Sequence, residues 1–120
     1  MADAERLICA SADVVEGGDG VRFPIKTAWG EETGFVVRWK GQVHAYVNRC
    51  AHVPMELDWQ PGKFFDDSGL YLICATHGAL YSPASGQCVA GPCRGGRLPP
   101  LEVVERSDAI YLLDSPQERR

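Results

Sequence analysis

Two short segments of this sequence each bring one cysteine and one histidine close together. Cys50 and His52 form the first pair, Cys74 and His77 form the second, and 21 residues lie between the pairs. Thiolate sulfur and imidazole nitrogen suit Zn, Cu and iron–sulfur centres better than Mg or Ca. A buried cysteine or a surface histidine is common by itself, but four such residues in paired spacing are not. We therefore predict that these residues bind a metal centre.

The order of the ligand types narrows the choice of metal. Structural zinc fingers usually place two Cys in one pair and two His in the other. Here each pair holds one of each type, which a mononuclear zinc site also accepts. A two-iron cluster accounts for the mixture better, because one iron can take both Cys and the other both His. That is the ligation of a Rieske [2Fe–2S] centre.

The sequence resembles the Rieske ferredoxin-like family, whose pattern is C-x-H, a spacer, and then C-x-x-H. Family members often add a Gly after the second histidine, an aromatic residue four positions after it, and a later Gly-Pro. Gly78, Tyr81 and Gly91-Pro92 occupy those places, and the resemblance covers roughly residues 35 to 113. It implies an all-β fold, namely a Rieske-like antiparallel β-sandwich with a small cluster-binding subdomain formed by two loops, and one [2Fe–2S] cluster per chain.

The resemblance also implies roles for individual residues. Cys50 and Cys74 would bind one iron as thiolates, and His52 and His77 would bind the other as neutral imidazoles. Solvent-exposed histidine edges would form the electron exit and make the potential fall as pH rises. Two neutral ligands leave the cluster less negative, so its reduction potential lies above that of an all-cysteine ferredoxin, in a family range of roughly −150 to +300 mV.

Residues around the ligands set the potential within that range. Tyr81 either donates its hydroxyl to a ligand sulfur or packs as a core aromatic, and Val53 and Met55 are candidates to shield the cluster from water. High-potential family members carry a disulfide between the two boxes and a serine two residues after the last ligand. Met55, Thr76 and Ala79 stand at those positions here. A low or intermediate potential is therefore expected.

Size and composition describe an ordinary soluble protein. The chain has 120 residues, of which 45% are hydrophobic and 23% charged, with net charge −4 and a pI near 5.3. We expect one domain over residues 1–120, with no affinity for nucleic acid and no membrane span. The polar N-terminus does not read as a signal peptide, so a cytoplasmic location is expected. The isolated protein is predicted to be a monomer.

Gly, Pro, Val, Ile and Tyr are frequent, which favours strands and turns over helices. The best hairpin signal is 35–39 and 42–47 around Lys40-Gly41. We expect a polar connection at 29–33, a loop at 82–96, a cluster-binding subdomain at roughly 48–93 and a flexible tail at 114–120. The other predicted strands are 6–10, 21–26 (with an edge position or a bulge, because of Pro24), 63–65, 70–73, 101–105 and 109–113.

Several further residues are interpreted as having no role in metal binding or partner recognition. Cys88 and Cys93 are interpreted as loop thiols rather than a disulfide or a weak metal pair, and Cys9 as a small core residue. His44 is predicted to be a partly exposed strand residue. The arginines near the predicted ligand loops are expected to be solvated rather than to steer a partner, and these are Arg49, Arg94 and Arg97.

The leading functional hypothesis is a soluble ferredoxin. By resemblance it would pass one electron from a flavin-dependent reductase to a terminal oxygenase, as a dioxygenase component that is not an enzyme by itself. The alternatives are a small Rieske subunit of a larger redox enzyme, such as a nitrite reductase, and a zinc-stabilised interaction module. A cysteine hydrolase is the weakest option, because no oxyanion loop or orienting third residue is recognisable.

Overall fold

The computed structural model describes residues 5–28, 30–50, 55–58, 60–75, 78–92 and 95–113. These residues fold into antiparallel β-sheets joined by turns, with one short 3₁₀ helix at Ser11–Asp13. No helix in this part of the chain is long and apolar enough to cross a membrane. The strands are β1 (Glu5–Ala10), β2 (Val21–Thr27), β3 (Gly30–Trp39), β4 (Gln42–Val47), β5 (Leu72–Ile73), β6 (Leu80–Tyr81), β7 (Cys88–Ala90), β8 (Pro100–Leu101), β9 (Val103–Arg106) and β10 (Ala109–Leu113).

The central sheet has the order β2-β3-β4-β8. Its β3–β4 hairpin matches the prediction, since Trp39 pairs with Gln42 and only Lys40 and Gly41 lie between. Both turn residues have positive φ, 53° and 80°, as a two-residue turn matched to strand twist requires. The expected edge position of β2 is also confirmed, because this strand pairs with β3 alone.

Three sequence predictions about local structure were wrong. Residues 30–33 are not a connection but the start of β3, because their backbone groups pair with β2. Residues 63–65 form no strand and contribute only a bridge between Phe65 and Leu72. The segment 82–96 is not all loop, since it contains β7.

The central sheet is buried on both faces, which explains why Phe35, Val36 and Val37 are all fully buried in succession. Phe35 and Val37 point into one hydrophobic cluster, while Val36 points into the other. The second of these clusters is closed by the outer sheet β1-β10-β9, whose Ile110 and Leu112 pack into it. The first cluster is closed by the predicted ligand-bearing half of the chain.

A small third sheet, β5-β6-β7, stands on the side of the first cluster. Leu72 pairs with Tyr81 and Ile73 with Leu80, so Cys74 directly follows the first strand of the β5–β6 hairpin and Ala79 directly precedes the second. Phe64 ties this half to the central sheet, because its ring stacks on Phe35 with centroids 3.9 Å apart. Cys74 therefore lies at the end of a short hairpin.

Candidate metal centre

The first predicted ligand box begins just after β4, where the chain leaves the central sheet. Cys50 is 3% exposed, and its backbone N–H donates a 2.8 Å hydrogen bond to the carbonyl of Met55. The backbone N–H of Asn48 donates to Thr33 of β3 at 2.7 Å. The rigid hairpin thus fixes where the loop starts, and the Cys50–Met55 bond fixes how it returns.

The second box is closed by backbone hydrogen bonds at its own ends. The Cys74 N–H donates to Ala79 at 2.9 Å, and the Gly78 N–H donates back to Cys74 at 2.8 Å. Gly78 has φ +75°, a conformation that a residue without Cβ adopts at little cost. Cys74 itself has no exposed surface. The fold therefore holds this thiol in a short, internally bonded loop.

The two boxes meet in one core. Cys50 and Cys74 belong to the same hydrophobic cluster, together with Leu57, Ala79 and Tyr81, which are all fully buried. A direct bond joins the loops, because the Ala75 N–H donates to the Leu57 carbonyl at 3.0 Å. Neither cysteine is part of a disulfide. Two water-excluded thiols, brought together from distant parts of the chain, suit thiolate ligands of a metal.

Tyr81 places a polar atom inside this apolar core. Its hydroxyl oxygen lies 3.2 Å from the sulfur of Cys50, and the whole residue is fully buried. If Cys50 is a thiolate, only the hydroxyl can donate in this contact. The sequence left two roles for Tyr81 open, and the structure shows both features together, a buried ring and a hydroxyl directed at a candidate ligand.

The Gly-Pro segment after β7 packs directly on the second box. Gly91 has φ +91°, and a Cβ added there would stand 3.0 Å from the Ala79 Cα and 3.2 Å from the Gly78 oxygen. No larger residue fits that contact without a shift. This close approach gives a physical reason for glycine at a position that resemblance alone had marked.

Other predicted site residues have different outcomes. His52, His77 and Val53 lie outside the described residues, so their placement stays a prediction. Met55 is described and is 45% exposed, so much of its side chain faces solvent. Among the described residues there is no group of three or more His, Cys, Asp and Glu that could hold a metal ion.

Arg49, beside Cys50, forms an ion pair rather than a solvated surface. Its guanidinium donates to both carboxylate oxygens of Glu32 at 2.9 and 3.2 Å, and both side chains are less than one-fifth exposed. Hydrogen bonding from Arg49 lowers the pKa of Glu32. The expectation of a solvated Arg49 is therefore wrong, and the pair anchors the first box to β3. Arg97 is bonded to the Ser85 carbonyl at 3.2 Å, and Arg94 lies outside the described residues.

Cys88 corrects another prediction. It is disulfide-bonded and packs against the core cluster, whereas the sequence interpretation was a loop thiol. It lies in β7, where it is paired with Tyr81 of β6. Cys93 lies outside the described residues. Cys9 is partly buried in the other hydrophobic cluster, as expected, and burial raises the pKa of its thiol.

His44 is partly buried on β4, as predicted, and burial lowers the pKa of its imidazole. It lines a groove with Val43, Pro100 and Glu102, and Tyr46 of the core cluster that holds the two cysteines also contributes to the lining. Sequence reasoning missed a different pair, Asn48 and Asp58, which hydrogen-bond to each other beside the first box. Polar residues near a predicted loop are ordinary, so their spacing carried no signal.

Comparison with known proteins agrees with this geometry. A family model for the Rieske [2Fe–2S] domain matches residues 5–105. A comparison with curated proteins finds no match.

Solved structures share the fold at low sequence identity. The ferredoxin of Sphingomonas yanoikuyae B1 is 23% identical, with a TM-score of 0.73 over 94% of this chain and 100% of that one. The ferredoxin of carbazole 1,9a-dioxygenase from Nocardioides aromaticivorans IC177 is 20% identical, with a TM-score of 0.70 over 93% and 99%. A chain in the complex of reduced oxygenase and oxidised ferredoxin in carbazole 1,9a-dioxygenase is 21% identical, with a TM-score of 0.69 over 91% and 92%. Because the family model spans most of the sequence, this chain belongs to the Rieske [2Fe–2S] domain family, and the family's [2Fe–2S] cluster is its cofactor.

Proposed function

We propose that this Rieske electron-transfer protein is the ferredoxin component of an oxygenase system. It would accept one electron from a flavin-dependent reductase and pass it to a terminal oxygenase. The observation that carries the proposal is the buried pair Cys50 and Cys74 inside an all-β Rieske domain, with the Tyr81 hydroxyl in contact with the Cys50 sulfur. Its likeness to the two ferredoxins extends over 99% and 100% of their chains, which adds support.

The proposed ligands are Cys50 and Cys74 on one iron and His52 and His77 on the other. When bound, the cluster supplies reversible one-electron chemistry at a potential that its ligands and their hydrogen bonds set. The protein's own contribution is to keep both thiolates away from water and to offer a hydroxyl to one of them. Leu57 and Ala79, both fully buried, supply the apolar surroundings.

We also propose a low or intermediate reduction potential. Each hydrogen bond to a cluster sulfur or ligand sulfur favours the more negative, reduced state. Ala79 is fully buried beside Cys74 and has no hydroxyl to donate at the place where high-potential relatives carry serine. Tyr81 remains as a donor, so the potential should not reach the bottom of the family range.

The first experiment combines spectroscopy with metal analysis on the purified protein. We expect a red-brown protein with two irons and two acid-labile sulfides per chain, which bleaches on reduction by dithionite. Cys74→Ala should be colourless. Cys9→Ala is the matched control, since it removes another partly buried thiol outside a disulfide and should retain the colour. Zinc without sulfide after anaerobic reconstitution would refute the electron-transfer role and support the structural-zinc alternative.

The finer role needs a partner assay. The reduced protein should be reoxidised by a terminal oxygenase with substrate and oxygen, and the oxidised protein should be reduced by NADH only when a flavin-dependent reductase is added. A protein that holds its cluster but exchanges electrons only within a tight complex with a larger reductase would contradict the ferredoxin role. That result would favour the small-subunit alternative.

A further inference from the structure

We propose that Asn48 and Asp58 form a buried polar latch that positions the first ligand loop and, through Leu57, the second. Both residues are almost fully buried, at 3% and 7% exposure, and the Asp58 side chain has no exposed surface. They flank the loop that carries Cys50. Burial of a polar pair costs desolvation free energy, and this cost is offset only if the hydrogen bonds of the pair are complete.

The bonds of the latch are complementary at every atom. The Asn48 amide oxygen accepts from the Leu57 N–H at 2.8 Å, and its NH₂ group donates to one Asp58 oxygen at 2.9 Å. The other Asp58 oxygen accepts from the Gly62 N–H at 2.9 Å. Since the Leu57 contact requires the amide oxygen, the NH₂ group must face the carboxylate. One side chain therefore fixes both ends of the loop in a single orientation.

Leu57 carries the constraint onward to the second box. Its N–H is held by Asn48, and its carbonyl accepts from the N–H of Ala75, which follows Cys74. Moving the latch would therefore move one of the bonds that fix the two cysteine loops relative to each other. Asn48 and Asp58 are therefore positioning residues that act through Leu57.

The charge of Asp58 is only partly balanced. The Arg22 guanidinium Nε lies 3.6 Å from the carboxylate, beyond hydrogen-bonding distance, while another nitrogen of Arg22 bonds Glu56 at 2.8 Å. Arg22 thus divides its charge between two carboxylates, and the Nε is buried without a hydrogen-bond acceptor among the described residues. A buried carboxylate in this position disfavours an added electron on a nearby centre. The latch should consequently affect the potential as well as the geometry.

Two isosteric substitutions test the latch separately. Asn48→Asp keeps the acceptor for Leu57 but faces a second carboxylate across the 2.9 Å contact. Asp58→Asn cannot satisfy both of its neighbours, because either orientation turns an NH₂ group toward a donor. Each single variant should lose iron about 10- to 100-fold faster than the parent, the range typical of residues that orient metal ligands. Iron release into a ferrous chelator, with loss of visible absorbance, measures this.

The double variant Asn48→Asp/Asp58→Asn provides the critical test of the latch. The new carboxylate at position 48 accepts from Leu57 and from the new amide at position 58, whose oxygen accepts from Gly62. Every hydrogen bond is restored while the charge moves to the other side of the contact. Iron retention should return to within severalfold of the parent. If either single variant fails to fold, the double variant must still yield protein with its cluster.

The reduction potential provides the readout that a merely structural role would not move. Asp58→Asn should raise it, because it removes a buried negative charge near the centre. Glu56→Gln is the matched control, because it removes the same charge from a side chain that is 47% exposed and should shift the potential much less. These measurements need no reductase or oxygenase, so they are independent of the proposed electron partners.

The latch would be overturned by single variants that keep iron as long as the parent. A double variant no better than the singles would also overturn it, since complementary hydrogen bonding is its basis. Equal shifts of the potential in Asp58→Asn and Glu56→Gln would refute the part of the proposal that concerns the buried charge.

Discussion

Removing the hydroxyl of Tyr81 should lower the reduction potential of the protein. The hydroxyl lies 3.2 Å from the Cys50 sulfur in a fully buried position, so it faces little competition from water. An electron added to the cluster makes the ligand sulfurs more negative and strengthens a hydrogen bond to them. Tyr81→Phe deletes the donor but keeps the ring that packs in the core, so the reduced state should lose more than the oxidised state.

The size of the effect follows from the strength of such a bond. Hydrogen bonds to charged groups contribute about 1.5 to 3 kcal/mol, and we take about a third of that as dependent on the redox state, because the bond exists in both states. For one electron, about 1.4 kcal/mol corresponds to about 59 mV, so the potential should fall by roughly 20 to 40 mV.

Protein-film voltammetry, or a dye-mediated titration followed in the visible spectrum, measures this shift. Tyr71→Phe is the matched control, because Tyr71 is 38% exposed near the start of β5 and its hydroxyl should not affect the potential. An unchanged potential in Tyr81→Phe, with the cluster content intact, would show that the hydroxyl does not donate to a ligand sulfur. A higher potential would contradict the sign of the argument, and Cys50 would then have to be reconsidered as a ligand.

Three further perturbations test how the fold supports the site. Tyr46→Phe removes a buried 2.7 Å hydrogen bond to the Pro83 carbonyl and should lower the free energy of unfolding in urea by about 1 to 3 kcal/mol. Because Arg49 lowers the pKa of Glu32 below its ordinary value of 4.5, the pair stabilises the fold above that pH, and this contribution is lost as pH falls through the lowered pKa. Glu32→Gln should therefore flatten the acid limb of a stability–pH curve, and an unchanged limb would contradict the assignment. Cys88→Ser should speed cluster loss severalfold, measured as decay of visible absorbance, because a covalent tether beside the second box disappears; equal decay would make the disulfide irrelevant to the site.

The sequence identified those parts of the fold whose signals are local. Lys40-Gly41 is a turn because both residues can adopt positive φ between two apolar runs, and the β3–β4 hairpin follows from that. The cysteine pairs stood out because their residue types and spacing are unusual by themselves. Both signals are readable within about 10 to 30 residues of chain, and neither needs knowledge of which distant segments pack together.

The missed features depend on tertiary contacts. Residues 30–33 are polar, yet they form strand because β2 lies beside them and satisfies their backbone groups. Phe64 looked like part of a strand, but its ring is buried against Phe35 of the central sheet, and that packing decides its path. Cys88 gave the appearance of a loop thiol because Gly and Pro surround it. Its pairing with Tyr81 cannot be inferred from neighbours in sequence.

The two faces of the central sheet have different roles, one in packing against the outer sheet and one in supporting the candidate metal centre. One face packs on the outer sheet through residues such as Val36 and Ile110, and neither Cys50 nor Cys74 belongs to that cluster. The other face, through Phe35 and Val37, supports the core that contains both candidate thiolates. Alternate residues of one strand thus serve stability and the metal centre independently, because successive side chains point to opposite faces. Hydrogen bonds such as those of Asn48 add directional precision to this packing, and this explains why polar groups are buried next to the centre.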